Sequence, residues 1–109
     1  MANIDFTYLE TLSEGDIDFI NEFISTFEKN CDELIAAMRK DLKEEQYRSL
    51  GKCAHTLKPS IKMLNLDSLN DLLSIQNAPE GTTDEKITTI EKDCHFALEE
   101  LKNWRLKFK

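Results

Sequence analysis

Chain breakers are scarce in this sequence. Its 109 residues hold three glycines and two prolines, and so few interruptions predict a small number of long helices. Long apolar runs are also missing. No stretch approaches the roughly 20 residues that a membrane span needs. The N-terminal segment, MANIDFTYLETL, lacks the basic start and apolar stretch of a secretory signal. These two absences make a cytoplasmic chain with no membrane association the expectation. Positive charge is in deficit, with a net charge of −7, so non-specific nucleic-acid binding, which needs clustered Lys and Arg, is not expected. Cysteine is sparse and odd in number, at Cys31, Cys53 and Cys94. Without a CxxC spacing these form neither a disulfide framework nor a zinc site, and they read as small reduced core residues. No glycine-rich phosphate loop and no internal repeat is present. A chain of this length predicts one domain over residues 1–109.

What is present is helical periodicity. A short first helix is expected over residues 4–12, with Phe6, Leu9 and Leu12 at helical spacing. Ser13 is a candidate N-cap for the next helix, with Glu14 and Asp16 supplying negative charge in its first turn. That helix carries Ile17, Ile20, Ile24, Phe27, Cys31, Leu34, Met38 and Leu42 on one stripe and is expected to end near Lys43 or Glu44. A third helix, from about Glu45, buries Tyr47, Leu50, Ala54, Leu57, Ile61 and Leu64. Asn65 tolerates the left-handed conformation that ends helices. Asp67 is the expected N-cap of a fourth helix, whose inward residues are Leu69, Leu72, Leu73 and Ile75. Residues 77–83 (NAPEGTT) read as a loop. A last helix starts near Thr83 with the stripe Ile87, Ile90, Cys94, Ala97, Leu101, Trp104 and Phe108 and a basic end, WRLKFK. The fold class is therefore all-α: an antiparallel four-helix bundle with the short first helix across one end.

Charge singles out the third helix. Residues 47–66 contain Arg48, Lys52, Lys58 and Lys62 and no Asp or Glu. The segment is +4, which leaves −11 for the rest of a chain whose total is −7. At about 100° per residue, His55 projects well outside the apolar stripe, on the side of Arg48, Lys52, Pro59 and Lys62. Lys58 lies one turn along and about 60° towards the core flank, within reach of a group on the imidazole. A solvent-facing imidazole is a nucleophile near neutral pH. A phosphoryl group formed on it would find cations nearby, with hydroxyls of Thr56 or Ser60 as hydrogen-bond donors. The plain alternative is a solvated surface histidine on a helix whose lysines pair with acidic neighbours. The other histidine, His95, sits beside Cys94 with no ligand spacing that supports a metal. Met38, Met63 and Trp104 read as packing residues.

The stretch Cys53-Ala54-His55-Thr56-Leu57-Lys58-Pro59-Ser60 resembles the signature of histidine-containing phosphotransfer (HPt) domains: Ala-His, a variable residue, an apolar residue, Lys, usually Gly, then Ser or Ala. The likeness extends to a long preceding helix, an aromatic residue eight before the histidine (Tyr47), Asn65 ten after it, and Leu66 opening a further helix. It implies that His55 is the phosphorylated residue, that Lys58 neutralises the phosphate, that Ser60 lies beside it in the helix turn, and that Gln76 contributes from the next helix. It also implies the partners, namely response-regulator receiver domains and a hybrid histidine kinase. No cofactor is expected on this chain, because Mg²⁺ would belong to the receiver, and a monomer is expected. Such a protein is a phosphocarrier and not an enzyme. Two residues depart from the pattern. Pro59 replaces the usual Gly and deprives the His55 carbonyl of its helical donor, which predicts a local kink. Asn65 replaces a common Gly at a left-handed position.

Two other readings stand beside this one. A histidine-kinase dimerisation domain would place an acidic residue directly after the histidine, where this chain has Thr56, and would need an ATP-binding domain. A docking module of the same fold would bind a receiver without phosphotransfer. Its contact residues would be on the first helix and on the flank beside His55, such as Phe6 and the neighbours of Ile61.

Overall fold

The structure, a computed structural model, describes residue 4 and residues 6–108. Five α-helices follow one another: α1 (Thr7–Ser13), α2 (Ile17–Lys43), α3 (Tyr47–Met63), α4 (Leu69–Asn77) and α5 (Asp84–Arg105), with 3₁₀ turns at Pro79–Gly81 and Leu106–Phe108. No strand is present among the described residues. The fold is the all-α bundle expected. Of the first and last expected helices, Asp5 and Lys109 lie outside the described residues.

Polar contacts show the directions of the helices. Arg39, late in α2, binds Asp84 at 2.6 Å and Glu91 at 2.8 Å near the start of α5, while Asn21, early in α2, accepts from Arg105 at 3.1 Å. These helices are therefore antiparallel. Asp93 and Lys86 of α5 reach the backbone of Ser68 and the hydroxyl of Ser74, respectively, so α4 runs against α5. Asp41, at the end of α2, accepts from Ser49 near the start of α3 at 2.6 Å. Helix α2 has 27 residues, about 40 Å of rise, and sets the long dimension of the molecule at 45 Å.

The core gathers one stripe from each helix. Leu9, Ile20, Ile24, Phe27, Met38, Leu50, Ala54, Leu57, Ile61, Leu72, Ile75, Ile87, Ile90, Ala97 and Leu101 are buried within it. Ile35 and Leu98, which the predicted stripes omitted, are buried as well, whereas Ile17, Leu34 and Leu42 are only half-buried. Ile35 follows Cys31 by four residues and Leu98 follows Cys94 by four, so each widens an apolar face that the narrower stripe understated.

Helix α1 runs Thr7–Ser13 and α3 starts at Tyr47, later than the expected residues 4 and 45, and two N-caps also depart from expectation. Ser13 is the last residue of α1, not the cap of α2. Glu14 (φ 52°) and Gly15 (φ 78°) turn left-handed after it, so the cap falls to Asp16, whose carboxylate accepts from the backbone of Asp18 and Phe19. Likewise Ser68, not Asp67, precedes α4. Its N–H is satisfied from outside, by Asp93 of α5 at 2.7 Å. The other turns follow the rules of helix endings. Asn65 is left-handed at φ 55°, and the pair Leu66 N–H to Ile61 O and Asn65 N–H to Lys62 O closes α3. Glu45 plays the same part after α2 at φ 56°, with Gln46 N–H to Asp41 O and Glu45 N–H to Leu42 O. A glutamate there carries the steric cost of a Cβ that asparagine tolerates better.

Helix α1 is tied to the end of α5 by an aromatic cluster. Phe6 stacks on Trp104 at 5.2 Å, Phe108 meets the same indole edge-on at 5.0 Å, and the indole N–H donates to Glu10 at 2.9 Å.

Two substitutions should move stability in opposite directions in urea unfolding followed by circular dichroism. Leu57, 1% exposed, should lose about 2–5 kcal/mol on change to Ala, through lost burial plus the cavity left behind. Glu45→Gly should gain about 1 kcal/mol by relieving the left-handed turn.

Candidate functional site

Helix α3 is rotated so that Leu50, Ala54, Leu57 and Ile61 face the core. That setting leaves His55 exposed, with Arg48, Lys52 and Lys62 exposed around it and Lys58 half-buried. The plain alternative, in which this helix pairs with acidic neighbours, is not met. None of these four cations has a carboxylate partner among the described residues, while the ion pairs formed by Arg39 and Lys102 lie on the α2–α5 seam. An imidazole surrounded by uncompensated positive charge is an environment that favours an anion.

A groove opens on one side of His55. It is lined by Tyr47, Arg48, Gly51, Lys52, Thr56, Gln76 and Pro79 together with His55 itself. Two elements make it. Helix α3 supplies the basic wall, and the end of α4 with the following 3₁₀ turn supplies the other. Gly51, one turn before His55, faces this second wall: a Cβ there would stand 3.5 Å from the Gln76 carbonyl oxygen and 3.7 Å from Pro79 Cγ, both ordinary contact distances. The Gln76 side-chain oxygen is buried without a hydrogen-bond partner in the chain.

Of the residues singled out in the sequence, His55 and Gln76 are brought together in this groove. Lys58 and Ser60 are not part of its lining. Lys58 sits three residues along α3 and can extend towards the imidazole. Ser60 is five residues along, about 140° around the helix, and is half-buried. Thr56 is exposed, but its hydroxyl donates to the Lys52 carbonyl at 2.9 Å, so it is not directed at the imidazole. Cys53, two residues from His55, is no competing nucleophile. Burial, reinforced by the Asp41 carboxylate to which the thiol donates at 3.7 Å, pushes it up and keeps it protonated.

Pro59 does not interrupt α3, which is helical from Tyr47 through Met63. It does leave the His55 carbonyl without the amide that would normally cap it. On the far side of His55, Pro59 lines a second, apolar groove with Tyr8, Lys62 and Met63. Tyr8 and nearby Leu12 are 60% and 51% exposed. Phe6, expected to lie on such a surface, is instead half-buried against Trp104.

The residues that sequence reasoning missed are Gly51 and Pro79. The available signal was a glycine in a helix interior, where it costs roughly 0.5–1 kcal/mol relative to Ala. Such a residue draws attention to what packs against it.

A protein-family model, the Hpt domain, matches residues 22–79. No curated protein and no solved structure matches the chain.

Gly51→Ala should raise stability by about 0.5–1 kcal/mol in urea unfolding. The helix gains intrinsic propensity, and the added methyl meets Gln76 and Pro79 only at ordinary contact distance.

Proposed function

The chain belongs to the Hpt domain family, matched over more than half its length, and from that premise we propose that it carries a phosphoryl group on His55 between two receiver domains. Hpt domains are phosphotransfer modules of phosphorelays and act as carriers, not enzymes. The observation that carries the assignment to His55 is its exposure on a helix face whose four cations have no carboxylate partner among the described residues.

The chemistry follows from this setting. The lone pair of an imidazole nitrogen attacks the phosphorus of an acyl phosphate on the first receiver's aspartate. The P–O bond to that aspartate breaks, its carboxylate leaves, and an N–P bond forms on His55. The reverse exchange delivers the group to the second receiver. Arg48 and Lys52 from the groove, and Lys58 from the next turn, balance the phosphoryl charge. The unpartnered Gln76 oxygen takes a hydrogen bond from the imidazole N–H or from the partner. Ser60, far around the helix, has no part in this account. The Mg²⁺ that supports acyl-phosphate chemistry belongs to the receiver, and the donor of the relay is a hybrid histidine kinase. A kinase dimerisation domain is disfavoured, because the residue after His55 is a threonine whose hydroxyl is bound to the Lys52 carbonyl and cannot serve as a base.

Receiver docking is assigned to the apolar groove of Tyr8, Pro59 and Met63 with Leu12. Pro59 lies one turn from His55, about 6 Å along the helix. A partner interface of ordinary size, about 800 Å² on each side, centred on His55 necessarily covers it.

A receiver charged on its aspartate and mixed with this protein and Mg²⁺ should transfer acid-labile, base-stable phosphate to the wild type and none to His55→Gln. That variant should stay within about 0.5 kcal/mol of wild-type stability, as exposed positions do. Tyr8→Ala should weaken receiver binding about tenfold, or about 1.4 kcal/mol, yet still accept phosphate from a small donor such as phosphoramidate. Receiver binding without label on the wild type would replace this reading with a docking module.

A further inference from the structure

Away from the His55 face, α2 and α5 form a half-open pocket of about 190 Å³ whose lining includes Cys31, Asp32, Arg39, Glu91, Cys94 and His95. Both cysteines are buried, at 2% and 1% exposure, and both are free. The antiparallel register brings them level. Asn21 and Arg105 are paired across the seam. Ten residues up α2 from Asn21 is Cys31, and ten residues down α5 from Arg105 is His95, next to Cys94. At the other end Arg39 donates to Thr88 at 3.2 Å, and the same counting from that pair again falls within two residues of Cys94. Both cysteines line the same pocket, and the neighbouring Cys31 thiol, reinforced by burial, pushes the Cys94 thiol up. No group of three or more potential ligands that could hold a metal ion occurs among the described residues, so the pair is not part of a metal centre of that kind.

We propose that Cys31 and Cys94 are a peroxide-oxidisable dithiol that closes into a disulfide across the α2–α5 seam. The pocket decides the class of oxidant. It has room for a molecule the size of hydrogen peroxide but not for a bulky disulfide such as oxidised glutathione. The thiolate of one cysteine attacks a peroxide oxygen, the O–O bond breaks, and the departing hydroxide takes a proton to become water, leaving a sulfenic acid. The second sulfur attacks the sulfenic sulfur and forms the S–S bond, and the hydroxide expelled takes that thiol's proton. Two thiols and one peroxide thus become one disulfide and two waters. The charged and titratable groups around the pair are Asp32 and Arg39 from α2 and Glu91, Asp93 and His95 from α5. Because both thiols are buried and the Cys94 thiol is pushed up, little thiolate is present and the reaction is slow compared with that of an exposed cysteine. Cys53 stands apart on α3 beside Asp41 and has no cysteine neighbour with which to close. The link would fasten α2 to α5 while leaving α3 and its imidazole untouched.

The test uses the intact, folded chain exposed to hydrogen peroxide, then alkylated in denaturant and analysed by intact mass and by a non-reducing proteolytic map. The expected product has lost about 2 Da, carries a single alkylated cysteine, Cys53, and yields a Cys31–Cys94 linked peptide that dithiothreitol separates. Its urea midpoint should rise relative to the reduced form. Cys31→Ala and Cys94→Ala should each abolish the link. Since either change alters the buried core, the map of the wild type decides by itself. Three alkylatable cysteines remaining after methionine sulfoxide has formed, a sulfinic acid on one cysteine alone, or a link through Cys53 would each overturn the proposal.

Discussion

Leu50, Ala54, Leu57 and Ile61 are buried along one side of α3, and that burial fixes the rotation of the helix about its axis. Everything on the opposite side inherits its direction from this one constraint. A turn of the helix by 60° in either sense would drive a lysine into the core or pull a leucine into water, and each costs kilocalories. The imidazole of His55 is therefore aimed by hydrophobic packing and not by hydrogen bonds of its own. The residues that make the fold and those that make the site lie on the same helix, back to back.

The charge distribution follows the same division. Acidic residues dominate the chain, but they are excluded from α3, and the cations that do find partners lie on the α2–α5 seam. The result is a local field opposite in sign to that of the molecule as a whole. Such a field attracts a doubly charged phosphoryl and an acidic partner surface while the overall negative charge disfavours nucleic acid. Screening by salt acts on this exposed field more than on the buried packing, so encounter and stability answer to different solution conditions.

The stripes of α2, α3 and α5 were legible because a period near 3.6 is written directly in the order of apolar residues. The outward direction of His55 followed from the same arithmetic, as did the left-handed Asn65. Caps were less legible. Ser13 and Asp67 both have the right chemistry, but the turn geometry of Glu14 and Gly15 in one case, and the remote Asp93 in the other, moved the start of the helix. The groove at His55 was hidden, because it depends on where the end of α4 falls, and only Gly51 hinted at that. The cysteines read singly as inert core. Their adjacency joins residues far apart in the chain and depends on the register between two helices, which local spacing does not encode.

Trp104 is the only tryptophan in the chain, and it is buried between Phe6 and Phe108 with its N–H on Glu10. The protein thus contains its own optical probe at the joint between the first and last helices. Its emission responds to the seating of α1, which carries Tyr8 and Leu12. Engagement of the apolar face can in this way be followed by fluorescence in one unlabelled molecule.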